Sequence, residues 1–233
     1  MKLSEEMKNK TLLSFELFPP KTEKGLQNLP GTIDHLMKYN PSYISCTYGA
    51  GGGNVGANRE VCQMIKNAGT TPVTHFTVIK NTKEGIKEQL DQYLADGVDH
   101  MLALRGDIPL GETTTCGDFD YATDLVKFVR DTYGDKFEIA VAGSPEGHIS
   151  CRSLESDIAV LKQKQDNGAD YIMTQLCWDM EQFKYWLDAI RKAGITMPVD
   201  VGVMPILDQA ATINMALSRN GCVMDREPVS YTH

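Results

Sequence analysis

The segment Thr82–Gly106, TKEGIKEQLDQYLADGVDHMLALRG, holds the pattern that decides the fold. Its first part has helical period. Ile86, Leu90, Tyr93 and Leu94 share one face, Thr82 is placed as an N-cap, and Gly97 is placed as the stop after the helix. Its second part, HMLALRG (His100–Gly106), is a short apolar run of the length of a buried strand. The same joint of helix, Gly, turn and strand recurs in DNGADYIMTQ and KAGITMPVDV. Met180–Gly194, MEQFKYWLDAIRKAG, repeats the helical stripe with Phe183, Trp186, Leu187 and Ile190. Strand-like runs stand at Leu12–Phe18, Tyr43–Gly49, Pro72–Val78, His100–Gly106, Glu138–Gly143, Tyr171–Cys177 and Val199–Pro205. Strict βα alternation demands a parallel sheet. The expected fold is therefore α/β of the (β/α)8 TIM-barrel type, with a doubly wound open sheet as the alternative.

Only seven βα units are evident. After Pro205 there is room for one helix, near Asp208–Asn220. The tail 221–233, GCVMDREPVSYTH, carries neither helical period nor a strand of ordinary length. No linker-like shift in composition divides the chain. Residues 1–233 read as one barrel domain without its last βα unit.

Composition narrows the function classes. The 233 residues carry a net charge of −8, and the pI is near 5.1, which argues against nucleic acid or an anionic membrane as partner. No apolar run approaches the roughly 18 residues of a membrane span. The start, MKLSEEMKNK, lacks a signal-peptide core, so the expected location is cytoplasmic. The six cysteines are scattered and read as reduced thiols, not as a disulfide framework or zinc site. The five histidines show no metal-ligand spacing, so no metal is expected.

In barrels of this kind the chemistry lies at the carboxyl ends of the strands. Those ends are polar here: Glu16; Thr47 and Tyr48; His75 and Thr77; Arg105, Gly106 and Asp107; Ser144, Glu146 and His148; Thr174 and Gln175. Glu16 stands out, because SFELFPPK places one carboxylate in a short apolar run, and a buried carboxylate must be paired, neutralised or used. Gly51–Gly56, GGGNVG, fits a dinucleotide fingerprint in letters only. The acidic residue wanted about 20 positions on is missing, so the stretch reads as a flexible loop over the barrel mouth.

The segments SFELFPPK, ISCTYGAGG, THFTVIK, LALRGDIP, YATDLV and DNGADYIMTQLCWD resemble, in order, those of the methylenetetrahydrofolate reductase family. The likeness runs from Leu13 to Gly221. It implies an FAD-dependent barrel that reduces 5,10-methylene-tetrahydrofolate to 5-methyl-tetrahydrofolate by ping-pong hydride transfer from NADH or NADPH. By the resemblance, Glu16 is the general acid, and Asp107 lies beside both the flavin and the folate pterin. Tyr48, Ala50, His75, Arg105, Gly106, Tyr121 and Ala122 are flavin contacts. His148 and Asp157 belong to the adenosine and ribityl side, and Lys164 to the pyrophosphate. Thr47 meets the nicotinamide, and Gln175 meets folate and nicotinamide in turn.

The chain also departs from the family pattern. Ser144 replaces an aromatic, Val160 and Gln163 stand where Asn and Arg contacts to the cofactor are found, and Ala211, with Gln209 close by, falls at a folate-contacting glutamine. The last βα unit, with a folate-contacting arginine, is missing. The alternative function is thus a truncated non-catalytic chain, or a subunit whose barrel a partner or second copy completes.

Overall fold

The computed structural model describes residues 2–48, 55–108, 111–148, 151, 153–204, 208, 210 and 213. Seven strands form one parallel sheet: β1 (Ser14–Leu17), β2 (Tyr43–Cys46), β3 (Thr71–Thr77), β4 (His100–Leu104), β5 (Glu138–Gly143), β6 (Tyr171–Thr174) and β7 (Val199–Asp200). A short helix, α1 (Leu3–Glu6), precedes them. The strands alternate with α2 (Glu23–Met37), α3 (Val55–Asn67), α4 (Lys83–Ala95), α5 (Ala122–Tyr133), α6 (Leu154–Asp166) and α7 (Met180–Lys192).

Strand order follows chain order without a reversal, and every neighbouring pair is parallel. Right-handed crossovers then put all the helices on one side, and the sheet curls with its other face inward. The curl brings the last strand round to the first. Ser14 Oγ on β1 donates to Asp200 Oδ2 on β7 at 3.3 Å, and the Tyr43 hydroxyl on β2 donates to the same oxygen. This is the barrel type and not the open doubly wound sheet, which needs a switch in strand order. β1 and β7 share no backbone pairing among the described residues.

The local signals act as the sequence implies. Thr82 caps α4 by accepting from Gly85 N–H at 3.1 Å, and Asp179 caps α7 by accepting from Glu181 and Gln182 N–H. Gly97, Gly168 and Gly194, at the three similar joints, take φ of +70°, +104° and +77°, where a side chain would be strained. Strand alternation splits the apolar residues into two layers. Ile44, Phe76, Met101, Val141 and Ile172 face outward and pack under the helices with Ile65, Leu90, Val126 and Trp186. Tyr43, Val73, Leu102, Ala140 and Tyr171 fill the barrel interior together with Leu3.

Two features differ from the sequence expectation. The run Val199–Pro205 pairs as strand only at Val199–Asp200. Beyond it Gly202 N–H turns to the Thr174 side chain at 3.0 Å, and among the described residues β7 pairs only with β6. The opening residues also form α1, which plugs the amino end of the barrel. Glu138, the first residue of β5, makes this possible. Its buried carboxylate accepts from Leu3 and Ser4 N–H at 2.7 Å each. The helix expected near Asp208–Asn220 and the tail 221–233 lie almost wholly outside the described residues. Among the described residues no helix is long and apolar enough to cross a membrane.

The plug is an electrostatic knot. His100 Nε2 lies 2.9 Å from Glu138 Oε2, and its Nδ1 lies 2.7 Å from Asp99 Oδ1. Burial works against charge on His100, but the two carboxylates prevail and raise its pKa to about 9. Burial likewise works to raise Glu138, but His100 and the Ser4 and Leu3 donors bring it down to about 2. Stability from Glu138 is present above its ordinary value of 4.5 and fades as pH falls toward 2. That from His100 is present below 6.5 and is lost as pH rises through 9. Glu138→Gln should therefore cost about 3 kcal/mol near pH 5.5. The gap to wild type should narrow above about pH 9 as His100 loses its charge. Urea melts across pH check both.

Candidate active site at the barrel mouth

The carboxyl ends of the strands converge on one mouth, and the sequence-predicted residues fall there in three groups. The first is Glu16 with β3. Glu16 turns inward near the end of β1, and 46% of its side chain stays open to the mouth. The wall beneath it raises its carboxyl above the usual carboxylate range by desolvation. His75, facing inward from β3, brings Nε2 to 3.6 Å from Glu16 Oε2. Its ring is buried, and burial lowers its pKa to about 4. His75 Nε2 and Thr77 Oγ1 have no hydrogen-bond partner in the protein.

The second group lies between β4, β5 and α6. Arg105 follows β4 and its Nε donates to Gly106 O at 3.3 Å. Gly106 takes φ of +86°, and a Cβ on it would meet Thr77 and Ile79 side-chain atoms at 3.1 Å. The glycine is thus required by both conformation and space, and it delivers the exposed Asp107 to the rim. Asp157 in the first turn of α6 accepts from His148 N–H at 3.2 Å and from the Cys151 thiol at 3.6 Å. Burial pushes the His148 ring down; Asp157 opposes this, while Lys164 and Arg105 add to it. Lys164 Nζ donates to Ala142 O at 2.9 Å, and burial lowers its pKa against the pull of Asp157 and Cys151. Two cations, a histidine and an acid thus gather from three separate stretches of sequence.

The third group follows β6. Gln175 N–H donates to Gly143 O at 2.8 Å, and Gln182 Nε2 on α7 ties down Pro145 O at 2.9 Å. The β5 and β6 exits are held side by side. Tyr121 stands exposed at the start of α5, its N–H bonded to Asp124 Oδ2 at 2.9 Å, with Ala122 following it. Among the described residues no cluster of His, Cys, Asp and Glu is arranged to hold a metal ion.

Tyr48 is not at the mouth. Alternation turns its side chain outward, where it packs against Phe76 with ring centroids 5.9 Å apart and donates to Gln89 Oε1 on α4 at 2.9 Å. Only its backbone faces the opening. Ala50, residues 51–54 of the glycine-rich loop, Gln209 and Ala211 lie outside the described residues.

Asn58 was not among the sequence candidates. It is wholly buried on α3. Its amide donates to Cys46 O at 3.0 Å and Thr47 O at 3.1 Å, and its oxygen accepts from Thr74 Oγ1 at 2.8 Å and the Tyr93 hydroxyl at 2.6 Å. It fixes the exit of β2, and so the place of Thr47. A signal existed in the sequence: Asn58, Val61, Cys62 and Ile65 share one helical face, so an amide sits on an apolar stripe.

The fold and the mouth define a (β/α) barrel with an acid–imidazole pair set beside a partly cationic lobe. Comparison with known proteins sharpens this. The sequence profile of methylenetetrahydrofolate reductase matches residues 2–220. "Methylenetetrahydrofolate reductase (NADH) 1" of Arabidopsis thaliana is 38% identical over 219 residues, covering 88% of this chain. The "5,10-methylenetetrahydrofolate reductase" of Escherichia coli is 34% identical over 202 residues, covering 86% of this chain. The chain belongs to the methylenetetrahydrofolate reductase family. It spans 37% of the Arabidopsis protein and 67% of the Escherichia coli one. Among solved structures, an uncharacterized Clostridium thermocellum protein that binds two copies of 5-methyl-5,6,7,8-tetrahydrofolic acid has the same fold. It superposes with a TM-score of 0.68 at 12% identity, over 100% of this chain and 80% of that one.

Asn58→Leu should remove four hydrogen bonds from two carbonyls and two hydroxyls and lower stability by about 3 kcal/mol. Tyr93→Phe, which removes one donor, should cost about 1 kcal/mol. Chemical denaturation of the two variants checks the ranking; equal losses would contradict the role of Asn58 as the shared centre.

Proposed function

We propose that the chain is a flavin-dependent methylenetetrahydrofolate reductase, converting 5,10-methylene-tetrahydrofolate to 5-methyl-tetrahydrofolate with FAD and NADH or NADPH. The observation that carries the reading is Glu16: a carboxyl at the barrel mouth, held toward its protonated form by desolvation, with a neutral imidazole beside it. A carboxyl so placed is suited to act as a general acid. The NADH in the names of the plant relatives favours NADH as the donor. The folate-binding neighbour favours a reduced folate in the mouth.

The residues present fit FAD. Lys164 would supply a cation to its pyrophosphate, His148 and Asp157 would meet its adenosine and ribityl side, and Arg105 its flavin. The unpartnered Thr77 Oγ1, with the edge of the His75 ring, Gly106, Tyr121 and Ala122, would meet its ring end, as would the backbone at Tyr48. When bound, FAD supplies hydride transfer, accepting from the nicotinamide and delivering to the folate in alternation. Glu16 gives its proton to the folate nitrogen that leaves the methylene bridge, and the iminium carbon so formed takes the hydride. Asp107, exposed at the rim, offers its carboxyl oxygens to the pterin ring. Thr47 orients the nicotinamide, and Gln175 serves both substrates on one face. Val160 and Gln163, on the exposed side of α6, add no charge to the phosphate lobe. FAD should accordingly be held less tightly than where a cation stands there.

A second reading is favoured by the seam: β1 and β7 each leave one edge without a backbone partner among the described residues. On that reading the chain works as a subunit whose barrel a second copy or another protein completes.

The visible spectrum of the purified protein with FAD, then NADH without oxygen, then methylene-tetrahydrofolate separates the two. Bleaching and recovery are expected of the reductase; no FAD uptake without a partner would point to the subunit. Glu16→Gln should abolish recovery by folate and leave bleaching by NADH nearly intact. Equal loss of both steps would remove the acid role. Asp107→Asn should move the flavin midpoint potential, read by spectroelectrochemistry.

A further inference from the structure

An unpaired polar atom in a protein interior costs about 1–3 kcal/mol, and natural proteins keep few. The mouth keeps His75 Nε2. Its ring is only 8% exposed and cannot swing to water, while Glu16 stands half open above it. In a barrel, alternate strands contribute to one interior layer, so β1 and β3 bring Glu16 and His75 together across β2. The gap of 3.6 Å closes to hydrogen-bond length with a small rotation of the glutamate alone.

We propose that His75 is a positioning residue for Glu16, its neutral ring accepting through Nε2 a hydrogen bond from the protonated carboxyl, which aims the acid into the mouth and keeps its proton until substrate takes it. The use of that proton rests on the function proposed above. The ring suits the task because burial keeps it from taking the proton itself at neutral pH. A cation at the same place would do the reverse and ionise the acid. The other titratable groups bearing on Glu16 come from β2. Tyr43 is pushed up by burial, and Cys46 by its hydrogen bond to Cys62 and by burial, so both stay neutral. Behind Tyr43 stands Asp200 of β7, an anion bonded to the tyrosine hydroxyl. None of these is positive. No bond is made or broken at His75. The proton leaves Glu16 for the folate nitrogen, and the carboxylate left behind is reprotonated from water at the open mouth.

The test is an NMR titration of the Glu16 carboxyl carbon in the full chain, assigned by its loss in Glu16→Gln. In His75→Phe the midpoint should fall by about one pKa unit toward an ordinary glutamate. An unchanged or raised midpoint overturns the proposal. If His75→Phe does not fold, the imidazole nitrogen shifts of the wild type decide. A proton on Nδ1 with Nε2 bare is expected, and a proton on Nε2 overturns it. In the folate half-reaction, measured per bound flavin, the pH at which the rate fails should fall with the midpoint. A wild-type chain that never reduces methylene-tetrahydrofolate defeats the proposed function, while the titration still decides the pair.

Discussion

One carboxylate holds the curl of the sheet. Asp200 takes hydrogen bonds from Ser14 on β1 and Tyr43 on β2, joining the seventh strand to the first two where, among the described residues, no backbone ladder does. A parallel sheet twists of its own accord, but twist alone does not close it. The convergence of strand ends at the mouth depends on that closure. Glu16 meets His75, and the lobe of Arg105, His148 and Lys164 lies at the same end, because the seven strands surround a single axis.

Within that frame, buried polar groups fix what apolar packing leaves free. Hydrophobic burial favours inside over outside but does not set where a chain leaves a strand. Asn58 pins the carbonyls at the end of β2, Gln182 pins the loop after β5, and Lys164 pins β5 itself. Each joins a helix to a strand exit, and each is satisfied by backbone atoms. The described strand exits are therefore tied to the sheet beneath them, while Glu16, Asp107 and Tyr121 stay exposed at the rim.

Much of the fold was legible in the sequence because its signals are local. Thr82, Gly97 and Gly194 declare helix limits through turn chemistry that needs no distant partner. The short segments of the mouth, SFELFPPK and LALRGD, were legible by resemblance, and the fold brings their acids to one rim. What escaped was non-local. α1 has four residues and little intrinsic reason to be helical; it exists through Glu138, far along the chain. Tyr48 reads as a mouth residue until strand parity turns it outward. The seventh strand run, read as Val199–Pro205, pairs over only two residues, a length set by what lies beside it and not by its own sequence.

The Glu138 clamp also bears on how the chain comes into being. The carboxylate that receives the amides of Leu3 and Ser4 lies 135 and 134 residues downstream of them. During synthesis Leu3 and Ser4 must wait, undocked, until the fifth strand has been made. Closing so long a loop is entropically slow, and until then the floor of the barrel is open. The docking of α1 is therefore a late event in folding, and the lower half of the barrel interior cannot become dry before β5 is in place.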